Sequence, residues 1–299
     1  MKQQIKSSLI LLLTATIWGV AFVAQSVGME YIGPFTFNAI RCVLGGLVLI
    51  PVILVLKKKK ETGAENQEKE DKKTLWAGGI ACGVILCIAS NLQQFGIMEA
   101  SVGKSGFFTA LYIVMIPVIG IFIGKRPGIK LWFCVALAVV GMYLLCMKDG
   151  SFTIERADIM LLLCALAFSV HILVVDYFSP KVDGVKMSCI QFFVCGVLSA
   201  VGMLFIETPD ISNIQAAWLP LLYAGLLSCG VGYTLQIVGQ KGINPVIASL
   251  IMSLESVISA LAGWVILGQV LSPKEILGCV LMFVAIIITQ IPIGNKKTD

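Results

Sequence analysis

SLIMSLESVISALAGWVILGQ, residues 249–269, decides what kind of protein this is. Apart from Glu255 the stretch holds no ionisable residue, and its length suits a helix crossing a bilayer, which takes about 20 mostly apolar residues. The carboxylate falls near the middle of that crossing. An ionised side chain at such a depth costs about 2.5–3.5 kcal/mol on insertion scales. A carboxyl held there either has a partner on a neighbouring helix or lines a path for solute or protons.

The rest of the chain repeats the pattern. Of its 299 residues, 58% are hydrophobic and 13% charged; a soluble domain carries about 25% charged residues. A mean hydropathy of +0.95 agrees. The reading is an all-α polytopic membrane protein. The net charge of +5 sits in short loops and forms no basic face, so it fits membrane orientation rather than nucleic acid. The ten cysteines all lie in apolar runs without a C-x-x-C pair, as expected of packing residues. No metal or cofactor is expected. The first apolar run resembles a secretory signal, but Phe22 stands where a cut after Ala24 needs a small residue, so an uncleaved first span is expected.

Ten stretches are long and apolar enough to span: 8–27, 35–56, 75–96, 101–124, 129–147, 158–178, 187–206, 216–239, 244–268 and 274–293. Helices are expected throughout, since a lone strand in lipid leaves its backbone groups unpaired. The charged segment 57–74 is read as a disordered cytoplasmic loop. With the N-terminus in the cytoplasm, 17 Lys and Arg fall on the cytoplasmic side and 4 on the other, so the positive-inside rule puts both termini in the cytoplasm. The expected location is the cytoplasmic membrane of a bacterium.

Residues 92–96, LQQFG, match 235–239, LQIVG, at an offset of 143. At that offset Leu111 meets Leu254, Val114 meets Val257, Gly120 meets Gly263, and Ile123 meets Ile266. Ser101 meets Asn244, both capping residue types, and Pro245 suits a first helical position. This predicts two five-helix repeats, residues 1–148 and 149–299. Five is odd, so the second copy enters the membrane from the opposite face. Such inverted repeats commonly enclose a midplane cavity and exchange inward- and outward-open states.

Several segments together resemble the EamA family of the drug/metabolite transporter superfamily, over nearly the whole chain. They are IWGVAFV (17–23), AIRCVLGGL (39–47) with Arg41, ALYIVMIPVIG (110–120) with Pro117, ADIMLLLCALAFSVHIL (157–173), and the opening stretch itself. The resemblance implies ten helices, cytoplasmic termini, and export or exchange of small metabolites. The sequence departs from the family pattern at Lys125 and Gln269, where an acidic residue is usual, and at Ser256, where proline is usual after the glutamate.

Candidate binding residues are the polar and aromatic side chains inside spans: Trp18, Asn91, Gln94, Tyr112, His171, Tyr233, Gln236 and Glu255. Polar groups in lipid either bind helices together or line a cavity. Tyr233 and Gln236 share a helix face. Glu255 is the coupling candidate, against a structural carboxyl paired with Arg41 or Lys104. Arg41 is expected to snorkel to the outer interface, with a substrate clamp as the alternative. Lys104 reads as a solvated helix end or a gate. The lone histidine, His171, reads as a core group or a proton relay. Gly79 with Gly83, and Gly120 with Gly124, read as packing surfaces.

No phosphate-binding loop or soluble domain supports an ATP-driven pump. No paired intramembrane acids or nucleophile–base pair supports an enzyme. The reading is a secondary transporter for a small molecule, working by alternating access as exporter or exchanger, with proton coupling through Glu255. The competing reading is a non-transporting membrane protein such as a channel, sensor or scaffold. Amino acids, nucleobases, sugars, cationic drugs and cofactors all stay open as substrates, as does the oligomeric state.

Overall fold

Apolar segments of this length satisfy their backbone in lipid only as helices, and the computed structural model is helical in every regular element among its described residues, 2–62, 71–100, 102–124, 127–146, 155–267 and 272–291. The elements are α1 (Lys2–Gly28), α2 (Pro34–Thr62), α3 (Lys72–Glu99), α4 (Val102–Ala110), α5 (Tyr112–Phe122), α6 (Ile129–Cys146), α7 (Arg156–Phe178), α8 (Gly184–Ile206), α9 (Ile211–Ala216) and α10 (Trp218–Leu222). A π-helical stretch (Tyr223–Tyr233) follows, then α11 (Thr234–Gln240), α12 (Pro245–Met252), α13 (Glu255–Leu267) and α14 (Pro273–Gln290). Among the described residues, eight stretches are long and apolar enough to cross a membrane, and Ile129–Leu144 is a shorter apolar helix.

The distribution of polarity is that of a lipid-embedded bundle. Phe205 and Val265 are 85% and 78% exposed, while Arg41, Glu255, His171 and Gln94 are buried. Only a hydrocarbon surround favours large apolar side chains outside and ionisable groups within.

Helix ends follow local chemistry. Asp71, Asp183, Asp210 and Asn244 each accept from a backbone N–H in the first turn of the helix they precede, and Pro245 takes the first helical position, as expected. Ser272 and Glu275 form a capping box. The start of α2 is capped from a distance: the Glu207 carboxylate, at the end of α8, accepts from Phe35 N, Thr36 N and Thr36 Oγ1 at 2.6–2.8 Å.

The charged segment is shorter than the sequence reading made it. Residues 57–62 continue α2 and 72–74 open α3, because lysine and glutamate propagate a helix well and Asp71 starts the next. The fourth and ninth apolar stretches are each broken midway, at Leu111 and at Ser253–Leu254. Pro117 deprives Ile113 of its helical donor near the first break. At the second, Ser249 and Ser253 bond back to backbone carbonyls three residues earlier, a known cause of bending. Gly124 is a left-handed turn (φ 81°) with open space around it, so it ends α5 and packs against nothing. Gly79 and Gly83 do pack: added Cβ atoms there would lie 2.5 Å and 2.6 Å from Ile190 and Val194. Ser101, Lys125 and Gln269 lie outside the described residues.

Helix α2 packs on α8, α3 on α7 and α8, α6 on α14, and α1 on α13. The contacts recur at fixed sequence offsets. Gly46 meets Phe193, and 150 residues on, Gly196 meets Val43. Gly83 faces Val194 and the Gln191 carbonyl; Gly225 faces Leu44 and the Arg41 carbonyl. Gly96 packs on Leu161, and Gly239 on Leu11. Two small apolar clusters behave alike: Ile32, Phe37, Ala217 and Ala224 in one stand where Val182, Met187, Leu75 and Cys82 stand in the other. The offset between α3 and its later equivalent is 142 at Gly83 and 143 at Gly96. The single extra residue is taken up in the π-helical stretch, the geometry by which a helix absorbs an insertion.

Candidate functional site

The interior groups that sequence reasoning singled out divide between one cavity and the helix interfaces around it. Helix α1 presents Trp18, Ala21, Phe22 and Gln25 to the cavity, spacings of three and four that make one helix face. Arg41 comes from α2, Gln93 from α3, Thr109 from α4, Tyr112 from α5, and Phe168 and Ile172 from α7. Ser228 and Tyr233 come from the π-helical stretch, Gln236 from α11 and Glu255 from α13. The room it leaves for water-sized groups is about 30 Å³, space for a few waters at about 10–15 Å³ each; the wider empty volume of 440 Å³ also counts open solvent.

Two ionisable groups sit at its wall. Glu255 is the first residue of α13, immediately after the break, and accepts a 3.0 Å hydrogen bond from Tyr112 Oη. Tyr112 is the first residue of α5, after the other break. The expected partners of the carboxyl, Arg41 and Lys104, are elsewhere. Arg41 donates from Nη1 to Gln25 Oε1 at 2.8 Å, stands 5.6 Å from the Phe37 ring centroid, and has Nε without a hydrogen-bond partner. It is 2% exposed, so the snorkelling expectation is corrected: α1 and the π-helical stretch close over it. Gln236 Oε1 is likewise buried without a hydrogen-bond partner, and Gln93 donates to Thr109 at 3.5 Å. Trp18 stacks at a tilt on Tyr233 with centroids 4.6 Å apart and donates to the Ser228 carbonyl. The site therefore offers one cation, one carboxyl, unsatisfied amide and guanidinium atoms, and aromatic walls.

Of the candidates, Trp18, Arg41, Tyr112, Tyr233, Gln236 and Glu255 meet in the cavity, and four do not. Asn91 donates to Ser199 and to the Cys87 carbonyl and accepts from Asn38, which ties α2, α3 and α8 together. Gln94 points at Met29 Sδ. His171 pairs with Gln191 at 3.1 Å behind Tyr233. Lys104 lies 3.0 Å from both Glu155 and the buried Asp158, an ion pair rather than a free helix end. Sequence reasoning passes over Gln25, Thr109, Phe168 and Ser228; it weighs Gln93 with Asn91 and Gln94 as a polar residue of the third span but does not place it among the site residues. A signal for Gln93 existed: the 143-residue match pairs it with Gln236. Among the described residues no group of three or more His, Cys, Asp or Glu could hold a metal ion.

A lipid-embedded helical bundle around a buried polar cavity defines a polytopic membrane protein with a polar interior. The EamA-like transporter family matches this chain twice, over residues 5–147 and 155–291, and the chain belongs to that family. An uncharacterized transporter of Archaeoglobus fulgidus is 27% identical over 282 residues, covering 94% of this chain and 84% of its own. The uncharacterized transporter YwfM of Bacillus subtilis is 24% identical, covering 97% and 96%. A crystal structure 18% identical has the same fold, with a TM-score of 0.77 over 95% of this chain and 96% of its own. The protein is a membrane transporter.

Proposed function

We propose that the chain is a secondary carrier built from two inverted five-helix repeats, residues 1–148 and 149–299, which bind a small metabolite in the Arg41–Glu255 cavity and expose it to each membrane face in turn. The observation that carries this reading is the Tyr112–Glu255 hydrogen bond. These residues are 143 positions apart, the offset of the repeat, and a residue touches its own mate only at a two-fold axis. The wall repeats the relation: Trp18 and Phe168, Phe22 and Ile172, and Gln93 and Gln236 are further mates that line the same cavity. Equivalent halves give states of similar energy, the requirement for alternating access.

Within this reading Glu255 carries the coupling proton, Arg41 and Gln236 hold polar groups of the solute, and Trp18 and Phe168 cover its apolar body. Both termini are cytoplasmic and the flux is export or exchange across a bacterial cytoplasmic membrane. A thermal-shift screen of purified protein against metabolite classes supplies a substrate. Counterflow in proteoliposomes then separates carrier from pore: a carrier accumulates label against preloaded substrate, and a channel does not. Glu255→Gln retaining full accumulation driven by a pH gradient would rule out the coupling role.

A further inference from the structure

The polar pair at the cavity wall has a hidden counterpart. The Arg41 carbonyl faces Gly225 as the Gln191 carbonyl faces Gly83, so Gln191 occupies the second-half position of Arg41. Each side chain reaches the first helix of its own half. Arg41 bonds Gln25 on α1, and Gln191 bonds His171 on α7. Only the first pair lines the cavity.

Tyr233 makes the difference. Its ring lines the cavity and also stands edge-on to His171 at 6.1 Å and to Phe192 at 5.8 Å. The residue 143 positions earlier is Ser90, too small to screen the Arg41–Gln25 pair. His171 is fully buried, and its Nδ1 has no hydrogen-bond partner among the described residues. A buried polar atom left so is costly and calls for a reason. Tyr233 is also the last residue of the π-helical stretch, where the backbone ladder changes register, and such segments concentrate at functional sites.

We propose that His171 and Gln191 form a second polar subsite, closed in this structure by Tyr233 and opened to the pathway in the oppositely facing state. The inference rests on the inverted-repeat reading above. The ligand group it receives is a hydrogen-bonding one, a carboxylate or a comparable acceptor, which exchanges Arg41 and Gln25 for Gln191 and His171 as the halves trade roles. Arg41 offers a permanent charge and two hydrogen-bonding faces; the second subsite offers uncharged amide contacts beside the imidazole. An acidic group is therefore gripped more firmly at the first subsite and released from the second.

His171 is the one histidine of the chain, so imidazole carbethoxylation of tag-free protein by diethyl pyrocarbonate, separated from lysine, tyrosine and cysteine adducts by peptide mass spectrometry, reads this site. The expected result is slow modification of the wild type, the same rate in Tyr233→Phe, and a rate about tenfold higher in Tyr233→Ala, where the opening barrier is removed. An unchanged rate in a folded Tyr233→Ala protein overturns the proposal. Should that variant not fold, complete protection of wild-type His171 overturns it equally. Gln25→Cys in a background with the ten native cysteines replaced, labelled by a charged methanethiosulfonate reagent, tests the cavity reading separately. Labelling of Cys with an inert His171 sinks the second subsite alone, and failure to label sinks the cavity itself.

Discussion

Tyr112 and Glu255 are each the first residue after a helix break, and the tyrosine hydroxyl donates to the carboxyl at 3.0 Å. In the inverted-repeat reading proposed above, the bond joins the two halves at their axis. Tyr112→Phe removes the donor and leaves a buried acceptor unpaired, a loss of about 1–3 kcal/mol. Thermal unfolding in detergent is expected to fall accordingly. Glu255→Gln keeps an acceptor for Tyr112 and is expected to unfold near the wild-type temperature while losing proton-driven accumulation.

Gly83 and Gly225 make the same contact in the two halves, against Val194 and Leu44. A Cβ at either position would approach backbone and Cβ atoms that cannot swing aside. Gly83→Val and Gly225→Val are each expected to lose about 1–3 kcal/mol by overpacking, measured by the midpoint of thermal unfolding. A strong effect at one and none at the other would contradict their equivalence.

Glu207 fastens the start of α2 to the end of α8 through three hydrogen bonds. Glu207→Ala removes a carboxylate from a helix N-terminus and is expected to lower stability by about 0.5–2 kcal/mol. Faster hydrogen exchange confined to the first turn of α2 is the checking measurement, and an unchanged exchange rate there would contradict it.

Lys104 is held by Glu155 and Asp158, of which Asp158 is 1% exposed. Lys104→Gln is expected to cost on the order of 1 kcal/mol, above a fully exposed pair because one partner is buried. The apparent substrate affinity in a transport assay is expected to stay at the wild-type value, since the pair lies outside the cavity.

Much of this architecture is legible in the chain because lipid admits so few solutions. The apolar lengths and the Asn244–Pro245 cap give helices and their starts. The match of 92–96 with 235–239 gives the register that pairs Gln93 with Gln236, although the adjacent Gln94 is an equally plausible cavity residue by sequence. A one-residue choice on a helix rotates a side chain by about 100°, and the two polar pairs of α3, Ser90–Asn91 and Gln93–Gln94, together give no periodic signal to select a face. The burial of Arg41 is invisible in the sequence for a related reason: depth along a helix says nothing about which neighbour closes over it. The 150-residue relation between α1 and α7, and between α2 and α8, rests on shape more than identity. Trp18 stands where Phe168 stands, and Arg41 where Gln191 does. The π-helical stretch, which shifts the offset by one, also hides the repeat from a fixed-offset comparison.

The exchange between halves is tested most directly by spin-label distances at two matched pairs in reconstituted protein, Tyr31 with Trp218 and Lys181 with Trp76, all exposed. The account predicts two distance populations for each pair, with conditions that lengthen one pair shortening the other. A single distance for both pairs, unmoved by substrate or by pH, would contradict alternating exposure of the Arg41–Glu255 cavity.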